Sequence, residues 1–293
     1  MNLAQPGILA EETKLARYLT FTVDSEAEVN VALKVLADNL DTESTVIGLG
    51  HSVVNLLKKD VPGLTTFTAQ AGDGYEIPST PAALWCWLRG TDRGELFHRS
   101  RMIEILLSPA FSLSDVTDSF QYDENRDLSG YVDGTENPGG DDAVQAAVVQ
   151  GQGAGMDGSS FVAVQQWLHD FDSFDSMSTK EQDDAIGRHV SDNEEFDEAP
   201  ESAHVKRAAQ ENFEPEAFML RRSMPWVEAQ DGGLMFVAFG KSFYAFEAVL
   251  NRMIGLDDSV SDALFKFTRP ITGAYFWCPP IKNNKLDLSQ IGL

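Results

Sequence analysis

The chain has 293 residues, a formal net charge of -24 and a hydrophobic share of 43%. An acidic surface repels phosphate backbones and anionic headgroups, which argues against nucleic-acid and membrane partners. The hydrophobic share, together with 18 Phe, is enough for a folded core and for an apolar pocket, which argues against disorder.

The sequence shows no export or membrane signal. Its first twenty residues lack a basic segment followed by an apolar run, and no window approaches eighteen apolar residues. Cys86 and Cys278 lie far apart in the chain without metal-ligand spacing, so both are predicted to be buried, reduced thiols. We therefore expect a cytoplasmic protein.

The first half of the chain alternates predicted strands with predicted helices. Ser25 precedes Glu28 by three residues, the capping-box pattern that opens a helix. The hydrophobic periodicity predicts strands at 16–23, 44–50 and 82–90, and helices at 25–40, 52–60 and 94–107.

The second half repeats this rhythm. Strands are predicted at 159–169, 217–226 and 232–240, and helices at 178–189 and 242–255, the last ending at a glycine. The pattern is typical of an α+β protein with two similar halves, each an antiparallel sheet with helices on one face. Residues 118–158, rich in Gly, Asp, Asn and Gln, are the predicted linker, and the acidic stretch 191–202 is a predicted surface loop.

The stretch "GYVDGTENPGG", residues 130–140, lies inside that linker. Its four glycines permit positive φ angles and a close approach of the backbone to something flat or bulky. Asp133 would then be presented at the tip of a loop. A long loop with packable side chains in a compact protein indicates a functional segment.

Among the five histidines, His204 stands out because it follows the acidic loop and precedes an arginine pair, Arg221 and Arg222. Alternation along a strand would turn one of these arginines inward, where it needs an anionic partner. His204, the inward arginine and Asp133 are therefore candidates for one shared pocket. No P-loop, G-x-S-x-G elbow or metal-binding histidine pair is found.

Five stretches resemble, in order, the haem-dependent dye-decolorizing peroxidases of the B-type, YfeX-like branch. "GYVDGTENP" is similar to the family's Gly-x-x-Asp-Gly stretch with its Thr-Glu-Asn-Pro continuation. The others are "IGR", "SAHVKR", "LRRSMPW" and "SDALFKFTRPITGAYFWCP", which begin at positions 186, 202, 220 and 261.

On the proximal side, this resemblance implies that His204 is the axial ligand of the haem iron. It implies that Asp262 accepts a hydrogen bond from the other imidazole nitrogen. The residues alone are equally consistent with Asp262 as an acidic residue on the surface of a helix. His189 is a rival ligand by residue type only, because its position matches no ligand of the family. Arg188 is the implied partner of a haem propionate.

On the distal side, the resemblance implies that Asp133 shuttles a proton and that Arg221 stabilises developing negative charge. Arg222 would point away, and a register error of one residue would exchange the two arginines. Ser223 stands where some relatives carry an Asn of the distal network. Trp226 and Tyr244 are candidates for passing electrons to the site, although aromatic core packing is the favoured interpretation of both.

The resemblance further implies two ferredoxin-like halves, residues 1–140 and 141–293, with haem b bound mainly by the second. The expected activity is reduction of hydrogen peroxide with oxidation of small organic donors such as dyes, phenols or porphyrin-type compounds. The expected assembly is a homo-oligomer, dimer or larger. The alternatives are a haem-handling protein with incidental peroxidase activity and a haem-free α+β binding module.

Overall fold

The computed structural model describes residues 3–72 and 75–293. In the first half, the strands are β1 Leu15–Val23, β2 Thr45–Leu49, β3 Gln70–Gly72, β4 Tyr75–Ile77, β5 Leu84–Gly90 and β6 Phe111–Phe120. The helices there are α1 Pro6–Leu9, α2 Val29–Asn39, α3 His51–Leu56 and α4 Arg93–Leu107.

In the second half, the strands are β7 Ser160–His169, β8 Leu220–Arg221, β9 Met224–Glu228, β10 Asp231–Gly240, β11 Thr268–Pro270, β12 Ala274–Cys278, β13 Ile281–Lys282 and β14 Lys285–Leu286. The helices are α5 Gly140–Ala147, α6 Phe171–Ser176, α7 Thr179–Ile186, α8 His204–Arg207 and α9 Tyr244–Met253. Turns of 3-10 helix lie at Glu26–Glu28, Gln210–Asn212, Ala263–Lys266 and Ser289–Ile291.

Within the described residues, ten strands form one antiparallel sheet in the order β11-β7-β12-β2-β5-β1-β6-β9-β10-β8. An additional pairing of β7 with β10 closes eight of these strands into a barrel. The two junctions between first-half and second-half strands are narrow, because each rests on one residue pair, Trp277 with Leu49 and Ser119 with Trp226.

The α+β class and the antiparallel pairing agree with the sequence prediction, but the prediction of two sheets omitted the closure into a barrel. The closing pairs join residues far apart in the chain, and such pairings leave no local periodic signal. The barrel also explains the two buried layers. Tyr18 and Trp85 belong to one buried cluster, whereas their neighbours Leu19 and Cys86 pack in another together with the helices α2 and α4.

Several local predictions were wrong in detail. Ser25 makes no capping hydrogen bond, whereas Ser178 and Glu181 form a complete capping box at α7. The strand predicted at 217–226 is broken into β8 and β9 at Arg222. The predicted linker 118–158 contains the end of β6 and all of α5.

The prediction for the two cysteines is confirmed. Cys86 and Cys278 are buried free thiols, and burial raises the pKa of both. In the two described ranges, no helix combines the length and the apolar character that a membrane span needs.

Candidate functional site

A cavity of about 380 Å³ lies against the second-half strands β7 and β10. Its apolar wall comes mainly from β10 and α9, and the segment 127–136 forms another wall. The apolar side chains that β10 and α9 contribute to the lining are Leu234, Phe236, Phe246, Val249, Leu250 and Met253. We call this space the large cavity.

His204 opens α8 and lines the large cavity. Its Nδ1 lies 2.8 Å from Oδ2 of Asp262, whose side chain is fully buried. The other carboxylate oxygen of Asp262 accepts the backbone N–H of Leu264 at 2.8 Å. Because both oxygens are engaged, Asp262 is fixed in place and orients the imidazole. With Nδ1–H donating to Asp262, the neutral ring leaves Nε2 as an acceptor.

Asp133 lies on the glycine-rich loop, as predicted, and lines the same cavity. Gly130 and Gly134 adopt positive φ angles of 90° and 79°, which only glycine adopts at little cost. Tyr131 anchors the loop, since its buried hydroxyl donates to Oδ1 of Asp183 at 2.5 Å. Burial raises the pKa of Asp133 above its usual range, and the attraction of Arg221 offsets only part of that rise.

Arg221, on β8, also lines the large cavity. Asn137 holds it to the loop through two bonds. The backbone N–H of Arg221 donates to Oδ1 of Asn137 at 2.9 Å, and Nδ2 of Asn137 donates to the Arg221 carbonyl at 3.0 Å. This clamp fixes the loop of Asp133 against β8. The sequence analysis did not predict a role for Asn137. The feature of the sequence that could have indicated one is its position in the "TENP" stretch.

Arg222 points elsewhere, in agreement with the predicted register. Its Nε donates to the Ile8 carbonyl at 3.1 Å and its Nη2 to the Leu9 carbonyl at 3.4 Å. His189 also lies apart. Its half-exposed ring contacts Asp183 at 3.2 Å and is not part of the cavity lining.

Ser223 is not brought to the large cavity. It lines a second space of about 10 Å³, the small cavity, and its hydroxyl accepts the backbone N–H of Val237 at 3.4 Å. Asp133, Gly134 and Arg221 line both spaces. These three residues are therefore the wall between the large cavity and the small one, and Ser223 lies on the far side of it from His204.

Arg188 lies on the large cavity with its guanidinium already paired. It donates to Glu136 at 2.9 Å and to Glu195 at 2.8 Å, and both carboxylates are substantially exposed. A buried guanidinium with exposed acidic partners can exchange those partners for the carboxylate of a ligand.

Sequence reasoning missed a buried pair, His169 and Asp127, that also lines the large cavity. His169 Nε2 lies 3.0 Å from Asp127, and its Nδ1 lies 2.7 Å from the hydroxyl of Thr268. Gln165, Trp167 and His169 are spaced by two along β7, so they share one face of the strand. That spacing was the signal available for His169.

The donor set limits what the large cavity can hold. Among residues 3–72 and 75–293, no three His, Cys, Asp or Glu side chains gather into a metal-binding group. A metal ion at His204 would therefore need most of its ligands from a cofactor. The apolar wall, the imidazole of His204 and the guanidinium of Arg188 suit a flat, largely apolar metal chelate with acidic substituents.

The fold and the cavity thus define an antiparallel α+β barrel protein with a site for a metal-bearing organic cofactor. Residues 124–283 match the family model of the Dyp-type peroxidase C-terminal region. The chain is 31% identical to the dye-decolorizing peroxidase of Rhodococcus erythropolis over 94% of its own length and 86% of that protein. It belongs to the Dyp-type peroxidase family and is a peroxidase.

Solved structures agree with this assignment. A putative Dyp-type peroxidase from Shewanella oneidensis superposes with a TM-score of 0.88 at 27% identity, covering 96% of this chain and 97% of that one. A variant of DypB from Rhodococcus jostii RHA1, solved in complex with heme, gives a TM-score of 0.87 at 26% identity, with 95% and 97% covered.

Proposed function

We propose that this peroxidase reduces hydrogen peroxide with haem b, which the large cavity would hold and whose iron His204 would ligate. The observation that carries the proposal is the hydrogen bond from His204 Nδ1 to the fully buried Asp262, 2.8 Å long, at the wall of a 380 Å³ cavity. A carboxylate behind a ligating imidazole fixes its orientation and raises its basicity.

The remaining residues of the cavity support the same cofactor. The apolar side chains of β10 and α9 would pack against the faces of the macrocycle, and Arg188 would exchange an exposed glutamate for a propionate. The Rhodococcus jostii relative carries heme in its structure, and its chain is covered over 97% of its length by this one.

In this mechanism, haem supplies the electron transfer between peroxide and the organic donor. The chain supplies the proton handling. Asp133, as carboxylate, accepts a proton from one peroxide oxygen and returns it to the other, which leaves as water. The remaining oxygen is reduced by two electrons from the organic donor, takes up two protons and leaves as a second water. The guanidinium of Arg221 stabilises the negative charge that develops as the oxygen–oxygen bond breaks. Ser223 lines only the small cavity, so any effect of Ser223 on the reaction would act through Asp133 and Arg221, which line both cavities.

The proposed donors are small organic compounds, among them dyes, phenols and porphyrin-type compounds. Tyr244 is 39% exposed, with its hydroxyl donating to the Pro215 carbonyl at 2.7 Å, which keeps it a candidate for passing electrons from a donor at the surface. Trp226 is buried, and its Nε1 donates to the Trp167 carbonyl at 3.0 Å, which favours a packing role.

We also propose that each half of the barrel is a ferredoxin-like unit, with a boundary near residue 140. The strand orders β2-β5-β1-β6 and β9-β10-β7-β12 support this division, since each contains four strands from one half of the chain. The narrow junctions between them support it too. A cytoplasmic location, supported by the two free thiols, and a homo-oligomer of two or more subunits belong to the same proposal.

Haem titration tests the proposed cofactor. The chain should develop a Soret band on addition of haem, and His204→Ala should lose that band or change its ligation signature, whereas His189→Ala, a half-exposed histidine outside the cavity, should behave as wild type. Equal haem uptake and equal spectra for both variants would contradict the assignment of His204. Turnover with peroxide and a dye, compared with Asp133→Ala and Arg221→Ala, separates a peroxidase from a haem carrier.

A further inference from the structure

The small cavity lies on the side of Asp133 and Arg221 that faces away from the large cavity, and one carboxylate beside it has no place in the mechanism so far. Glu12, in the segment between α1 and β1, lines the small cavity together with Asp133, Arg221 and Ser223. Within the described residues, the Glu12 carboxylate makes no hydrogen bond and no close ion pair. It is half-buried, so solvent can reach it.

The segment that carries Glu12 is held rigidly by two arginines. Arg222 donates to the carbonyls of Ile8 and Leu9, and Arg89 donates to the carbonyl of Glu11. These bonds go to the backbone, and they leave the Glu12 carboxylate itself unpaired. The backbone that carries Glu12 is thus held beside the small cavity, which the Glu12 side chain lines.

The small cavity connects this carboxylate to both solvent and Asp133. Gln121, Tyr122 and Asn125 line it and are exposed, so its outer end reaches the surface. Its inner end is Asp133 itself. A volume of about 10 Å³ is about the size needed for one water molecule, and a polar lining can hold one.

We propose that Glu12 carries protons between solvent and Asp133 through a single water in the small cavity. In one transfer, the Glu12 carboxyl gives its proton to the water, which passes one of its own protons to the Asp133 carboxylate. Glu12 then takes a proton from solvent and returns to its starting state, so the net change is the transfer of one proton from solvent to the Asp133 carboxylate. The reverse sequence removes a proton from Asp133. This role rests on the proposed function of Asp133.

The electrostatics around Glu12 suit such a relay. Burial raises its pKa, and the charge of Asp133 raises it further, while Arg222 and Arg89 act in the opposite direction. The pKa of Asp133 is raised as well, mainly by burial. Because burial raises the pKa of both carboxyls, each is protonated more readily than a carboxyl in water, which suits a role in proton transfer. The other titratable or charged side chains near Glu12 are Tyr18, Arg126 and Arg221.

A carboxyl titration tests the coupling without using enzyme activity. The full chain with 13C-labelled Asp and Glu carboxyls is titrated before haem is added, as wild type, Asp133→Asn and Asp231→Asn. Asp231 is the matched control, because it is a residue of the same type at an exposed position. Asp133→Asn should lower the titration midpoint of Glu12, since the charge of Asp133 raises the pKa of Glu12, and Asp231→Asn should leave it unchanged. A Glu12 midpoint that is the same in all three proteins overturns the proposal.

Rapid mixing of the haem-loaded protein with peroxide tests the relay itself. Glu12→Gln should slow the reaction about 10-fold and change its pH profile. A 10-fold loss is smaller than the loss of about 100-fold or more that is typical when a group that transfers a proton directly to the substrate is removed. Glu12→Asp, which keeps a carboxyl, and added formate should each restore most of the rate. A rate and pH profile equal to wild type, or a loss that neither Glu12→Asp nor formate restores, refutes the relay. A wild type without a haem band or peroxide reaction would instead refute the proposed function.

Discussion

His204 and Asp262 are joined by a 2.8 Å hydrogen bond, although 58 residues separate them in the chain. The Asp262 side chain is fully buried, whereas the His204 side chain is 34% exposed toward the large cavity. A buried carboxylate loses hydration, so it needs hydrogen-bond donors, and here the imidazole and the Leu264 N–H supply them. The pair is therefore a rigid support behind whatever binds to Nε2.

Asp262→Asn tests this support. The amide oxygen can still cap the Leu264 N–H, but the charge behind the imidazole is lost. We expect the fold to persist and haem affinity or turnover to fall about 10- to 100-fold, the usual effect of removing such a partner. The reduction potential of the bound haem should rise, because a less basic ligand stabilises oxidised iron less. Asp257→Asn, whose side chain is half-exposed and makes only a 3.9 Å ion pair, is the control.

Much of the local structure could be predicted from the sequence. Helix α9 shows a clear helical periodicity of apolar residues and ends before Gly255. The backbone φ of Gly255 is 74°, a conformation that glycine adopts at little energetic cost. The loop of Asp133 was recognisable from its glycines. These features are local, because they depend on residues a few positions apart.

Other features depend on contacts that no short stretch records. The closure of the barrel rests on pairs such as Trp277 with Leu49, and the burial of Asp262 depends on His204 and on the turn around Leu264. Ser223 shows a further limit. The family resemblance implied a place for Ser223 in the distal network, but Ser223 lies in the break between β8 and β9 and lines the small cavity.

Asp133→Asn is expected to raise the stability of the fold at neutral pH. Burial raises the pKa of Asp133 in the folded chain, so its contribution to stability is fully present below the unfolded pKa, near 4, and is lost as pH rises through the folded pKa. Replacing the carboxyl removes that loss, which amounts to about 1.4 kcal/mol for each pKa unit of difference.

Thermal unfolding of the haem-free chain at several pH values measures this effect. The gain of Asp133→Asn over wild type should be present at pH 7 and vanish at the acid end, and peroxide turnover should fall about 100-fold or more. Asp231→Asn, at an exposed position, should change neither property noticeably. Lower stability of Asp133→Asn at pH 7 would contradict the raised pKa.

Asn137→Ala tests the clamp between the loop and β8. The change removes the two hydrogen bonds, 2.9 Å and 3.0 Å long, between the Asn137 side chain and the backbone of Arg221. The N–H and the carbonyl of Arg221 then both lose their side-chain partner. We expect a loss of about 1–3 kcal/mol in the free energy of unfolding. Turnover should fall as well, because Asp133 and Arg221 lose their fixed relation. Asn39→Ala, which removes one exposed bond, should cost less. Unchanged turnover would show that the clamp does not position the pair.

Asp127 should make the fold sensitive to acid. Burial raises its pKa, but the hydrogen bonds from His169 and Ser129 outweigh burial, so the pKa in the folded chain is lowered. A lowered pKa contributes stability above the unfolded value, near 4, and that stability is lost as pH falls through the folded pKa. Asp127→Asn should therefore be less stable than wild type at pH 7, by about 1–3 kcal/mol, with a smaller difference below pH 4. Asp123→Asn, 66% exposed, should stay within about 0.5 kcal/mol of wild type in denaturant unfolding at both pH values. A deficit for Asp127→Asn that does not shrink in acid would mean that packing, and not charge, holds His169 in the wall of the large cavity.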